Sequence, residues 1–447
     1  MAHKVRGLRD PDSLNPVFRP NSIAVIGASS SPEKWGFKIL KNILDAGFKG
    51  PVFPINPKAE EVLGLRCYRS VRDIEGEVDL AVVIIPAPAV PGAIEECGQK
   101  KIKAAIVITG GFRETGTKGE ELERALVEAA ARWGVRVIGP NCQGVNHPHH
   151  GLCASWPLIK DKGEIAIISQ SGTVGAAFMD WASMDKLGFS VFVSLGNRAD
   201  VDEADLIHYF SRDENTRVIS LYLEGVKDGP KFIEAARACK KPIVVLKPGK
   251  TEEGQRAAES HTKALAGRDE VYEAVFRQLG IHRARDLEEF YDFSKALAYL
   301  KRPQGKRVLI VTSSGGSGVL ATDVAAMEGL DVAPLPESLA AKLRAELPSH
   351  FVISNPFDLT GDAEAGLYKK VIEVASPHYE ALFLIFGDPL PGVSEVVGKE
   401  PPQVVVYLGG ADVERREREL FHLKKVPVFP TPERGVRALS QLVKLKF

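Results

Sequence analysis

Short aliphatic, β-branched runs recur along the chain. Each is followed by a Gly, Ser or Pro turn and then by a stretch whose apolar positions have helical spacing. The first series is SIAVIGASS, GPVFPINPK, VDLAVVIIPAP, KAAIVITGG and VRVIGPN, with ELERALVEAAARWG among the helical stretches between them. Apolar runs of this length, closed by turn residues, predict strands buried on both faces. Their alternation with helices predicts β-α units around parallel sheets. The series closes near Pro148 and defines a domain over residues 1–150. A second series, GEIAIISQSGTVGAAFMDWASMDKLG, FSVFVSLGN, RVISLYLEGV and KPIVVLKPGK, ends in the charged helix DLEEFYDFSKALAYL and defines residues 151–300. KRPQGK (301–306) is basic and has no apolar anchor, so it is a linker. The third segment, 307–447, opens with RVLIVTSSGGSGVLATDVAAMEG and closes with KKVPVFPTPERGVRALSQLVKL. The expectation is an α/β chain of three doubly wound units.

The second and third segments open alike, IAIISQSGTVGAAFMDWA against VLIVTSSGGSGVLATDVA. Each reads as a strand, a Ser/Gly loop and an Ala-rich helix. In open α/β sheets, ligands bind beyond the carboxyl ends of the strands, where helix N-termini offer free N–H groups and partial positive charge to phosphate. SQSGTVG (169–175) and TSSGGSGV (312–319) suit that task, but the same composition serves a plain N-cap and tight turn. Neither ends in the GK[ST] of a nucleoside-triphosphate loop. The first loop, VIGASSSPEKWGFKIL, is not G-x-G-x-x-G, and the next strand ends in Lys58 where an NAD site would have an acid. A cation there fits a phosphorylated ribose, as in CoA or NADP.

Composition narrows the class. Lys+Arg and Asp+Glu both number 58 in 447 residues, which argues against a general nucleic-acid or membrane-surface role. No apolar run approaches the roughly 18–20 residues of a membrane span. The opening MAHKVRGLRDPDSLNP lacks the apolar core of a secretory signal. Five dispersed cysteines without a C-x-x-C pair fit reduced thiols in a cytoplasm, and no zinc pattern is present. NHPHHG (146–151) clusters three histidines but brings no carboxylate or cysteine pattern, so it reads as a surface loop and no metal is expected.

Several motifs then fall into one order. IPAP (85–88), GPNCQGV (139–145), ISQSGTVG (168–175) and ESHTKALAG (259–267) resemble the succinyl-CoA synthetase α-subunit. GGSGVLATD (315–323) and NPFDLTGDA (355–363) resemble the carboxy-terminal domain of its β-subunit. The combination resembles the α-subunit of NDP-forming acyl-CoA synthetases, from about Asn15 to the end. The resemblance implies a Rossmann-like CoA-binding domain followed by two flavodoxin-like domains. It also implies acyl-CoA + phosphate + NDP ⇌ free acid + CoA + NTP, through an acyl phosphate and a phosphohistidine.

By that resemblance the phosphohistidine is His261, and Glu224 in LYLEGV orients its ring. Phosphate-binding loops are Ser169, Ser171, Gly172 and Thr173, and Ser314, Gly315, Gly316, Ser317 and Gly318. CoA-binding positions are Gly27, Ala28, Ser29, Ser30, Ser31, Lys34, Lys58, Pro86, Ala87, Pro88, Gly110, Gly111 and Asn141. Cys142, beside Asn141, is read as structural. No segment resembles an ATP-grasp module, so the Mg-nucleotide is expected on a separate ATP-grasp β-subunit, in an α2β2 assembly. The small residues Ala257, Ala258, Ala264, Ala266 and Gly267 would let the His261 segment swing between the two. A CoA-binding regulatory protein without turnover and an NADP-dependent dehydrogenase are the competing readings. The motifs leave the acyl group open between acetyl, branched-chain, aryl and succinyl.

Overall fold

The computed structural model describes residues 7–262 and 268–444, with the side chains of 258–262 outside that description. The chain folds into two compact units: residues up to Ser183 with Gly188–Arg283, and Met184–Leu187 with the chain from Ala284.

The first unit holds two large sheets and a two-stranded antiparallel ribbon, Glu61–Val62 with Leu65–Arg66. In one, β1 (Ile23–Ile26), β2 (Val52–Ile55), β3 (Leu80–Val83), β4 (Ala104–Val107) and β5 (Arg136–Ile138) run parallel in the order β2-β1-β3-β4-β5. Every residue of β1, β3 and β4 is buried, as their unbroken apolar runs require. The helices α1 (Trp35–Asp45), α2 (Val90–Gln99) and α3 (Thr117–Trp133) connect these strands. α3 stops at Gly134, which takes the left-handed φ of 69°.

The other sheet contains β6 (Val145–His147), β7 (Leu152–Ala154), β8 (Lys162–Ser169), β9 (Phe189–Ser194), β10 (Val218–Tyr222), β11 (Ile243–Leu246) and β12 (His282–Ala284). Their order is β12-β11-β10-β8-β9-β6-β7. β8 to β11 are parallel, and the β6–β7 hairpin adds antiparallel strands beside β9. Its helices are α4 (Gly172–Met184), α5 (Glu203–Phe210), α6 (Gly229–Ala238), α7 (Glu252–Thr262) and α8 (Asp269–Leu279).

In the second unit, α9 (Leu287–Tyr299) precedes β13 (Val308–Thr312), α10 (Gly315–Met327), β14 (Phe357–Asp358), β15 (Ala381–Phe386), β16 (Gln403–Tyr407) and β17 (Val428–Phe429). These strands are parallel in the order β14-β13-β15-β16-β17. The charged helix α9 is buried from Glu289 to Tyr299. Its charges are met internally: Arg434 donates to both oxygens of Asp292, at 2.7 and 3.0 Å, and Lys295 Nζ donates to Val428 O at 2.9 Å. Burying charges is tolerable only when they are paired in this way.

All three parallel cores share one winding. The first strand is central, the second lies on one side of it, and the third to fifth lie on the other. The chain therefore splits at the carboxyl ends of β1 and β3, of β8 and β10, and of β13 and β15. Each split opens a crevice where a ligand can enter. Two glycines make the first crevice tight. A Cβ on Gly27 (φ +96°) would lie 2.3 Å from Ile84 O, and one on Gly36 would lie 2.0 Å from Gly27 O. The first turn of α1 thus rests directly on the end of β1.

The histidine cluster is not simply a surface loop. His147 ends β6 and is buried at 1 % exposure, because the hairpin folds it under Phe18. Its Nδ1 lies 2.9 Å from Phe18 O, so Nδ1 carries the proton and donates, while buried Nε2 has no partner. Desolvation pushes its pKa down to about 4. The unfolded value is about 6.5. Since the folded value is the lower one, the contribution is complete above pH ~6.5 and is lost as the pH falls toward 4. Urea unfolding at pH 7.5 and pH 4.5 should therefore show a larger loss for the parent chain than for His147→Asn. The expected difference is roughly 2–3 kcal/mol, since Asn keeps a donor but takes no proton.

Candidate active site

The first crevice contains a cavity of about 690 Å³ at the ends of β1 and β3. Gly27, Ala28, Ser29, Lys34, Lys58 and Pro86 line it, whereas Ser30, Ser31, Ala87 and Pro88 do not. The loop is shaped from within. Ser29 Oγ accepts from Ser31 N at 3.1 Å. Asn56 Nδ2 donates to Ala28 O at 2.8 Å, and Asn56 Oδ1 accepts from Lys58 N at 2.9 Å. Asn56 thereby ties the Gly27 loop to the Lys58 turn. Arg69 adds a third cation to the wall and was missed from the sequence. Its place follows from the bridge between Ile55 and Tyr68, which sets residue 69 just past the end of β2. Lys34, Lys58 and Arg69 around one cavity, with a single acid, Glu96, in its wall, suit a ligand with several phosphates.

A second cavity, of about 730 Å³, lies beyond the carboxyl ends of β3 to β5 and of β8 and β9. Gly110 and Asn141 line one part of it and Ser171, Gly172 and Thr173 another. Asn141 adopts a left-handed φ of 57°, which asparagine tolerates, and donates to Asn197 Oδ1 at 3.3 Å. The N–H of Gly111 is already taken: Glu114 Oε1 accepts it at 2.5 Å and Phe112 N at 3.0 Å. Burial pushes the Glu114 carboxyl up, but the bonds from Asn197, Gly111 and Phe112 outweigh it and hold the group below its usual range. Glu114 thus stays an anion inside this turn. Cys142 Sγ donates to Val107 O at 3.3 Å, and burial pushes its pKa up to about 12. It is a protonated packing thiol, not a nucleophile.

Ser169 closes β8. Its Oγ donates to Ser171 O at 2.5 Å and accepts from Ser171 N at 3.2 Å, and Ser171 Oγ accepts from Val174 N at 3.4 Å. Gly172 opens α4 without a side chain because a Cβ there would lie 2.8 Å from Gln143 Oε1. Gln170, between the two serines, was also missed. It is 9 % exposed and spans to the next strand end. Its Oε1 accepts from Glu224 N at 2.8 Å and Gly225 N at 3.2 Å, and its Nε2 donates to Gly225 O at 2.9 Å. One carboxamide therefore fixes the turn carrying Glu224 to the Ser169–Thr173 loop. The sequence signal was its position alone, a residue flanked by two loop serines.

The second unit repeats this turn. Thr312 closes β13; its Oγ1 donates to Ser314 O at 2.9 Å and accepts from Ser314 N at 2.8 Å. Ser314 and Ser317 share a hydrogen bond of 3.0 Å across the start of α10. Gly316 has nothing within 4 Å of an added Cβ, while Gly315 would meet Asp358 Oδ2 at 2.8 Å and Gly318 would meet Thr312 at 3.1 Å. Ser313, the counterpart of Gln170, accepts from Gly387 N at 2.9 Å. So this crevice has a glycine where the first unit has Glu224.

His261 lies in α7, near the end of that helix, and its ring lies outside the described residues, as do Ala264, Ala266 and Gly267. Among the described residues there is no group of three or more His, Cys, Asp or Glu able to hold a metal ion. None of the described helices is long and apolar enough to cross a membrane.

Comparison with known proteins follows the same divisions. Residues 21–148 match the CoA binding domain family, 162–297 the succinyl-CoA ligase like flavodoxin domain, and 308–390 the ligase-CoA domain. The chain is 42 % identical to acetate–CoA ligase [ADP-forming] I subunit alpha of Pyrococcus furiosus, over 97 % of both chains. It is 41 % identical to acetate–CoA ligase [ADP-forming] I of Archaeoglobus fulgidus, spanning 95 % of this chain and 63 % of that one. The dinucleotide-forming acetyl-coenzyme A synthetase 1 of Ca. Korarchaeum cryptofilum, solved with phosphate and ADP, superimposes with a TM-score of 0.92 at 39 % identity, covering 97 % and 96 % of the two chains. The chain belongs to the ADP-forming acyl-CoA ligase family, among its alpha subunits.

Proposed function

We propose that this chain is the CoA- and phosphoryl-handling subunit of an ADP-forming acyl-CoA synthetase, catalysing acyl-CoA + phosphate + ADP ⇌ carboxylic acid + CoA + ATP with its partner. One observation carries the reading. Gly110 and Asn141, assigned to CoA by the resemblance, line the same cavity as Ser171, Gly172 and Thr173, assigned to phosphate. Acyl transfer from sulfur to phosphate needs both reactants at one carbonyl carbon, and a shared cavity meets that need.

The phosphates of CoA bind beside Lys34, Lys58 and Arg69 over the Gly27–Ser29 loop. Inorganic phosphate sits at the start of α4, where N–H groups and the hydroxyls of Ser171 and Thr173 hold its charge. A phosphate oxygen attacks the thioester carbon, the C–S bond breaks, and CoA leaves as the thiol with a proton from solvent. His261, neutral at the attacking nitrogen, takes the phosphoryl group from the acyl phosphate and releases the carboxylate. Glu224 accepts from the other ring N–H and supports the positive charge that builds on the imidazole. The loop at Ser314–Gly318 is the second phosphate cradle, used after the phosphoryl group is on His261. The phosphohistidine then passes its phosphoryl group to ADP, which with its Mg²⁺ belongs to an ATP-grasp β-subunit in a cytoplasmic α2β2 assembly. The alpha-subunit name of the Pyrococcus relative supports a partner subunit.

The reading is tested by combining the chain with an ATP-grasp partner, acyl-CoA, phosphate and ADP. The parent should make ATP and carry an acid-labile, base-stable phosphate. His261→Ala should lose both, with ATP formation down by at least ~1,000-fold. ATP formation by the Ala variant at the parent's rate would move the phosphoryl carrier elsewhere.

Gln170 should act on the same step through Glu224. Gln170→Ala removes the bonds that hold Glu224 N and Gly225, so kcat should fall about 10–100-fold while KM for acyl-CoA changes by less than threefold. Steady-state kinetics checks this split; a change confined to KM would assign Gln170 to substrate binding instead.

A further inference from the structure

The cavity shared by Asn141 and Ser171 has a third wall, and we infer that this wall receives the acyl group, that it takes acyl groups bearing no second charge, and that Trp35 is the residue that selects them. The inference rests on the reading of this cavity as the acyl-transfer site.

Geometry comes first. If the thioester lies near Gly110 and Asn141 and phosphate near Ser171, the carbonyl carbon lies between them. Its remaining substituent must then turn toward the rest of the lining: Trp35, Trp156, Ile84, Ile108 and Ala176. This wall is apolar. Trp35 opens α1 and is 45 % exposed, an unusual state for so large a ring on a cavity wall. It stacks on Trp156 with centroids 4.1 Å apart and planes at 29°. The Trp156 carbonyl is gripped by Gln143 Nε2. The pair is thus a fixed aromatic surface whose uncovered area an apolar substituent would remove from water.

Charge comes second. None of the described residues lining this cavity carries a charged side chain. Its polar groups are largely committed to the scaffold. Gln143 N donates to Ser194 Oγ at 2.9 Å, and Thr109 Oγ1 donates to Ile85 O at 2.8 Å. Lys38 Nζ lies 5.0 Å from the centre of a Trp35 ring but is not part of the lining. A second carboxylate, as in a succinyl group, would leave water with no cation among the described lining residues to meet it, which is unfavourable. A branched aliphatic or aryl group meets no such cost.

Binding of CoA thioesters to the full-length chain tests this, by calorimetric titration with CoA, phenylacetyl-CoA and succinyl-CoA. Phenylacetyl-CoA should bind about tenfold more tightly than CoA, and succinyl-CoA no more tightly than CoA. In Trp35→Ala the ratio of phenylacetyl-CoA to CoA affinity should fall to within about twofold of one, and Trp35→Phe should restore most of it. Succinyl-CoA binding as tightly as phenylacetyl-CoA, or a ratio that survives Trp35→Ala, overturns the inference and leaves the CoA site standing. Absence of binding by CoA and by every thioester overturns the acyl-CoA reading itself, and the inference with it.

Discussion

A side-chain amide does in the first unit what secondary structure cannot. Parallel strands hold each other by backbone bonds only as far as they run side by side, and β8 and β10 stop at Ser169 and Tyr222. Beyond them the chain diverges at the split in the winding. The Gln170 carboxamide continues the pairing by one more step, accepting from Glu224 N and Gly225 N and donating to Gly225 O. The relative position of the Ser169–Thr173 loop and Glu224 depends on that step. A buried amide with its bonds made is rigid, whereas a missing bond would leave half-buried backbone groups unpaired at a cost of up to about 1–3 kcal/mol each.

The winding itself explains why the chemistry collects at a few strand ends. In all three parallel cores the first strand lies inside, with the second strand on one side and the third on the other, so the loops that follow it cannot cover the crevice they flank. The hydroxyl turn then recurs, Ser169 with Ser171 and Thr312 with Ser314, each strand-end hydroxyl bonded to the backbone two residues on. The two turns share a form but not their surroundings. Glu224 follows β10, while Gly387 holds the comparable place after β15. On the proposed assignment of both turns to phosphate, an acid beside a cradle repels the anion unless a histidine lies between them, so a cradle without its own histidine is better served by glycine.

The sequence carried the architecture well, because buried parallel strands leave unbroken apolar runs and the turns after them are rich in Gly and Ser. It also carried most of the cavity linings, since Gly27, Lys58, Gly110, Asn141 and Ser171 follow strand ends and Lys34 caps α1. What escaped it were residues whose role depends on a distant partner. Arg69 reaches the cavity only because Tyr68 bridges to Ile55. Gly111 looked open to a ligand, but Glu114 takes its N–H. The charged pattern of α9 did not show its depth; Arg434 from the far end of the chain meets Asp292 and lets it be buried. His147 likewise appeared to be a loop residue until Phe18 covered it.

The contact between Gly36 and Gly27 reaches further than the loop it closes. Because no side chain fits between them, the first turn of α1 cannot rock on the end of β1, and Trp35 stands one residue before that contact. The indole is therefore set in place by the same backbone that shapes the CoA loop. With Trp35 as the inferred acyl selector, exchanging the side chain at position 35 alone would change the substrate while the Gly27 loop stays in place. Shifting the helix would not do so, since any shift large enough to matter would disturb both at once. Evolution and the protein engineer are left with the same narrow route to a new specificity.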